Sequence, residues 1–429
     1  MHKFRAAPSR LAFAVALATS AAVGLTATAT PAFAQKKGKQ QPAGKANYSK
    51  EFVATYQPMA KVVNDNGDVA ALAAQVPALV AAATTPDDKL AAGQMVYNIG
   101  AKTNAVSLQR QGLDMMLDSG KLTQEALPSN TFAAAQLAYN AKDWAAARMR
   151  AEQAIAAGYE GDAELLIAET YFAEDQAPTG IQALDKAIAR KLAAGQAVPE
   201  SWIKRGLAQA YQANLDAEAL KYAGMYAQYY PSKSSWGDAI AVQRNIANYE
   251  GQELLDVMRL AQRVGAMRYE RDYADYITAA DARRLPGETQ RVIDEGIAAG
   301  LLKSNDVFVN EARTIAAGRV KADLADLPGL ERDAKASGAT AATAMAAGDA
   351  LLSYQQPAKA EEFYKLALSR PGVDTARVLT RLGIAQLDQG KTAEAQATFA
   401  KVEGARQAIA RLWAIYAKQT AGTAGSTAP

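Results

Sequence analysis

A recurring pattern of small and aromatic residues narrows the fold before anything else does. Gly348 is followed twelve residues later by Ala360, then by Tyr364 and Ala367, and Leu382-Gly383 is followed at the same spacing by Ala395, Phe399 and Val402. The two stretches are offset by 35 residues. Two helices joined by a short corner can cross closely only where both backbones carry small side chains. The spacing therefore predicts a hairpin of two helices repeated along the chain, with the aromatic filling the gap to the next hairpin. One such hairpin cannot bury its own apolar face, so stacking of neighbours must supply the core.

The middle of the chain repeats the arrangement. Ala135 leads to Trp144, Ala147, Ala151 and Ala154; 33 residues on, Ala168 and Tyr171 lead to Gly180, Leu184 and Ala187. A third unit keeps Trp202 and Gly206, then Ala219, Ala223, Tyr226 and Pro231, with one extra residue in its turn. These residues resemble the tetratricopeptide repeat family, over 128–232 and 341–405. Further pairs, around 51–83, 87–120, 236–265, 270–300 and 304–336, follow from helical periodicity alone. The expected fold class is all-α: an α-solenoid of stacked antiparallel helix pairs. Ala-, Leu-, Gln- and Glu-rich stretches broken by Gly and Pro agree with this, and strand patterns are nearly absent.

The N-terminus reads as an export signal. Lys3, Arg5 and Arg10 precede an apolar run from Leu11 to about Leu25, and Ala32-Phe33-Ala34 gives the small-x-small pattern of a cleavage site. The run is shorter than the roughly 20 residues of a membrane span. Cleavage after Ala34 is expected, with a periplasmic product that keeps no transmembrane anchor. Those three basic residues account for the whole formal charge of +3, so the remainder is neutral. Lys36, Lys37, Lys39, Lys45 and Lys50 precede the first acidic residue, Glu51, which makes 35–47 a flexible basic leader and the body mildly acidic. A nucleic-acid partner is not expected of such a body. The array is expected over 48–336, a joint at Ser337-Gly338-Ala339-Thr340, a C-terminal pair with a capping helix over 341–418, and a disordered tail over 419–429.

The chain has no cysteine, and its one histidine, His2, lies in the signal. Triads built on Cys or His are thereby excluded, as are the usual zinc and haem sites. No enzyme activity, cofactor or metal is expected. Two motifs read as turns. Gly390-Lys391-Thr392 lacks the earlier glycine of a phosphate loop, with Ala385 in its place, and Asn64-Asp65-Asn66-Gly67-Asp68 lacks the ligating Glu of a calcium loop. Glu200-Ser201 has no Gly-rich loop after it, unlike a lytic transglycosylase active site.

The family resemblance implies a concave face, lined by the first helix of each pair, that holds an extended peptide. Transferred to this chain it selects Phe132, Gln136, Tyr139 and Asn140, then Glu169 and Phe172, then Lys204 and Tyr211. The implied function is a scaffold of the bacterial cell envelope that binds a protein or peptide partner. One alternative is a polysaccharide-handling accessory whose aromatic middle (Tyr222, Tyr226, Tyr229, Tyr230, Trp236, Tyr269, Tyr273 and Tyr276) stacks on glycan. Another is a glycan enzyme working through a pair of carboxylates about 5 to 10 Å apart.

Overall fold

A computed structural model describes residues 46–65 and 67–424. The expected signal segment and nearly all of the leader lie outside them. Among the described residues every regular element is a helix, and none is long and apolar enough to cross a membrane. The contacts divide the chain into two compact units between Glu174 and Asp175.

The first unit contains α1 (Lys50–Asn64), a 3₁₀ turn (Ala70–Gln75), α2 (Val76–Ala82), α3 (Pro86–Thr103), α4 (Val106–Asp118), α5 (Leu127–Asn140), α6 (Trp144–Ala156) and α7 (Ala163–Ala173). Helices α3 and α4 form its tightest hairpin. Asn104 ends α3 in the left-handed region at φ 54°, and glycines let the two backbones touch. A Cβ on Gly93 would lie 2.6 Å from the Gly112 carbonyl oxygen, and one on Gly112 would lie 2.4 Å from the Tyr97 nitrogen. The leader is pinned at its last residue, where the Asn47 N–H donates to Asp87 Oδ2 at 2.7 Å.

The second unit runs through α8 (Ala177–Ala193), α9 (Glu200–Gln212), α10 (Asp216–Tyr229), α11 (Lys233–Ala247), α12 (Gly251–Arg263), α13 (Glu270–Ala280), α14 (Pro286–Ala298), α15 (Val307–Lys335), α16 (Ala341–Ser353), α17 (Pro357–Leu368), α18 (Thr375–Leu387), α19 (Thr392–Phe399) and α20 (Gln407–Ala424). Consecutive helices pack as hairpins and each hairpin stacks on the next, which is the expected all-α repeat architecture. Gly390, at φ 75°, turns the corner between α18 and α19.

The aromatic of each pair covers the glycine of its own hairpin, and Phe399 also reaches the next element, stacking on Trp413 of α20 with ring centroids 6.1 Å apart. A Cβ on Gly348 would stand 2.7 Å from the Tyr364 ring, one on Gly383 2.4 Å from Phe399, and one on Gly206 2.2 Å from Tyr222. The flat ring occupies the volume that a side chain on the facing helix would need.

Three boundaries differ from the expectation. Residues 304–336, expected as a pair, are mostly one long helix, α15, because Gly318 stays helical and Pro328 is accommodated within it. The expected joint at 337–340 is only the turn into α16, with Thr340 as its cap, and a continuous core reaches from Ala223 to Ala417 across it. The tail expected from Gln419 is still helix as far as Ala424: Gln419 Nε2 donates to the Ala227 carbonyl at 2.8 Å, and Trp236 Nε1 donates to Gln419 Oε1 at 3.3 Å.

Candidate functional site

In the first unit, one side of α4, from Val106 to Asp118, and the end of α5 border a cleft of about 630 Å³. Its lining includes Val106, Ser107, Gln111, Met115 and Asn140. Two ion pairs brace it. Arg110 reaches from α4 to Asp143 at 2.5 Å, and Arg150 reaches back from α6 to Asp114 at 2.7 Å. Asp143 also caps α6 by accepting from the Ala146 N–H, and the Arg110 contact with this cap holds its carboxyl below the usual range. The side chains of Ser107, Gln111 and Asn140 make no hydrogen bond to the described residues. An edge of unspent amides beside exposed Val106 is suited to the backbone of an extended peptide.

Only Asn140 of the residues selected by family resemblance lines this cleft. Gln136 lies one turn before it, half-buried. Tyr139 packs edge-on against Trp144 with centroids 5.1 Å apart. Phe132 is buried and stacks on Tyr159 at 4.3 Å; Glu169 and Phe172 are buried as well. Burial of these three corrects their expected place on an open face: Phe132 is one of the few large side chains of Ala-rich α5 and is needed to fill the core, and α7, which carries Glu169 and Phe172, is apolar on most sides and is buried accordingly. In the second unit, Lys204 is exposed near Glu200 and over the Tyr226 ring, and Tyr211 is exposed with its hydroxyl 3.4 Å from Asn245 Nδ2. Of the six in the first unit, three are buried and so share no surface with Asn140.

The aromatic middle is largely committed to packing. Tyr222, Tyr226, Trp236, Tyr273 and Tyr276 are buried, and only Tyr229 and Tyr269 stand exposed. Several tyrosine hydroxyls are spent on carboxylates, as with Tyr222 on Asp185 at 2.8 Å and Tyr276 on Glu288 at 2.9 Å, and Tyr230 donates to the Val198 carbonyl at 2.6 Å. Burial and the Glu200 carboxylate push the Tyr226 hydroxyl up to about 12.

The largest polar feature of the second unit is a buried ion network that the sequence analysis did not select. Arg381, fully buried on α18, donates through Nε to Asp256 Oδ1 at 3.0 Å, through Nη1 to Asp349 Oδ2 at 2.5 Å and through Nη2 to Gln252 Oε1 at 2.7 Å. Arg406 donates to the other Asp256 oxygen at 2.5 Å. Arg259 bonds Asp256 at 3.2 Å and grips both oxygens of Glu288, at 2.7 and 2.6 Å. Burial by itself would raise these carboxyls, but the guanidiniums outweigh it: Asp256 and Glu288 lie below their ordinary values and Asp349 at about 2.

This network joins α12, α14, α16 and α18. Arg381 of α18 reaches α12 through Asp256 and α16 through Asp349, and α20 packs against α12 and α18, with Trp413 Nε1 donating to the Asp256 carbonyl at 3.0 Å. One sequence signal was available. Arg381 is the only charge within Val378 to Leu387, so a helix buried there had to bring it a partner.

No protein-family model matches this chain, and no curated protein matches it. Among solved structures it is similar to a chain in the structure of Naa15/Naa10 bound to HypK-THB. The identity is 13%, over 86% of this chain and 70% of that chain, and the TM-score is 0.37. No residue role follows from that likeness.

Proposed function

We propose that the protein is an exported, non-catalytic scaffold of the bacterial cell envelope, of the tetratricopeptide type, that holds an extended segment of a protein partner in the α4/α5 cleft. The observation that carries this reading is the cleft edge itself: the unpartnered side chains of Ser107, Gln111 and Asn140 beside Val106 and Met115, braced by two ion pairs. Amides there can pair with a peptide backbone while the apolar side chains take up its residues. The signal-like N-terminus supports export to the periplasm. The non-catalytic reading is supported by the state of the buried carboxylates, since Asp256, Glu288 and Asp349 are all held ionised by arginines. A carboxylate pair acting as acid and base needs one member that stays protonated.

The test is site-specific photocrosslinking in cells, with the full chain carrying a photoreactive residue at Asn140 or, as a control, at exposed Glu152 on α6. A discrete protein adduct from position 140, absent from 152 and weakened by Gln111→Ala, is the expected result. Adducts of equal yield from both positions refute the cleft. Recovery of the protein in the cytoplasmic fraction with residues 1–34 intact refutes export.

A further inference from the structure

The buried network of the second unit does not balance its charges at one edge. Four carboxylates take part, Asp256, Glu288, Asp349 and half-exposed Glu253, against the guanidiniums of Arg259, Arg284, Arg291, Arg377, Arg381 and Arg406. The surplus is concentrated around Asp349. Its Oδ2 alone accepts from Arg381 at 2.5 Å, Arg377 at 2.9 Å and Arg284 at 3.3 Å. Three cations converging on one oxygen repel one another, and Arg377 feels Arg381 directly. Arg291 of α14 donates only to backbone oxygens among the described residues, to the carbonyl of Ser353, one turn along α16 from Asp349, at 2.7 Å and to that of Gly287 at 3.1 Å. Asp323, which faces the Tyr354 hydroxyl, makes no ion pair with any of the six.

Polar capacity is also unspent at this edge. Arg377 Nε and Ser353 Oγ are buried and have no hydrogen-bond partner among the described residues. Ser353 lies one turn from Asp349 on α16, and the Arg377 guanidinium contacts Asp349 itself. The edge reaches solvent at Arg284, whose side chain is 40% exposed. Fixed guanidiniums in a partly desolvated setting favour a multiply charged oxyanion, which each can meet with two N–H donors.

We propose that Arg284 and Arg377, backed by Arg291, form a binding site for a phosphoryl dianion, either free phosphate or a phosphomonoester group on a larger ligand. The anion would share the Arg284 and Arg377 guanidiniums with Asp349 and neutralise the surplus charge. This site belongs to the second unit and does not depend on the α4/α5 cleft.

The test uses the purified full chain and isothermal calorimetry at constant ionic strength, with inorganic phosphate in one arm, methyl phosphate in a second and chloride as the reference. Arg284→Gln changes a rim residue and is compared with Arg283→Gln, an exposed neighbour outside the network. Saturable phosphate binding, weakened about tenfold or more by Arg284→Gln and unchanged by Arg283→Gln, is the expected result. Equal or tighter binding of methyl phosphate places the natural group on an ester; rejection of methyl phosphate restricts the site to the free ion. Absence of saturable binding in both phosphate arms, or equal affinity in the two variants, overturns the proposal. Circular dichroism melts of both variants keep a folding defect from being read as lost binding.

Discussion

Replacing Arg381 by alanine removes, in one step, the contacts to Asp256 at 3.0 Å, to Asp349 at 2.5 Å and to Gln252 at 2.7 Å. Asp256 keeps Arg259 and Arg406, and Asp349 keeps Arg377 and Arg284, so neither carboxylate is left wholly unpaired. Both nevertheless stay buried with fewer counter-charges, and the space of a full arginine side chain opens at a site with no exposure. Breaking a buried pair by removing one member costs about 3–5 kcal/mol. At about 2–4 °C per kcal/mol for a unit of this size, Arg381→Ala should lower the melting temperature by roughly 6–20 °C. Urea unfolding at pH 7 followed by tryptophan fluorescence is the assay, because three of the four tryptophans, Trp202, Trp236 and Trp413, lie buried in the second unit. Trp413 is bonded to the Asp256 backbone and reports on the network directly. A loss below about 1 kcal/mol would refute the reasoning, since it would mean that Asp256 and Asp349 do not rely on this guanidinium.

Two further predictions concern acid and packing. Asp349 is held at about 2 against an ordinary 3.8, so its contribution to stability, about 2 kcal/mol, is complete above roughly pH 4 and is lost as the pH falls through 2. Urea midpoints taken between pH 5 and 2 should show that loss in the native protein and a smaller one in Arg381→Ala; equal losses would contradict it. Gly383→Ala places a Cβ 2.4 Å from the buried Phe399 ring and should cost about 1–3 kcal/mol, whereas Gly318→Ala, with nothing within 4 Å on α15, should be neutral or stabilising by up to about 1 kcal/mol. Thermal melts that rank the two variants in the opposite order would show that the hairpin does not close as described.

The sequence by itself determined the hairpins. The spacing from Gly348 to Tyr364, or from Gly383 to Phe399, lies within one helix pair, so local periodicity and the size of a side chain suffice to set the crossing. Corners such as Gly390 were readable for the same reason. The tertiary structure alone decided how the second unit closes. Arg381 meets Asp256 across 125 residues, and Arg406 meets it across 150. In sequence these are ordinary charged residues of helices that carry many. Only the return of α20 onto α12 and α18 removes them from water, and removal from water turns unremarkable charges into an obligatory network with a cationic edge.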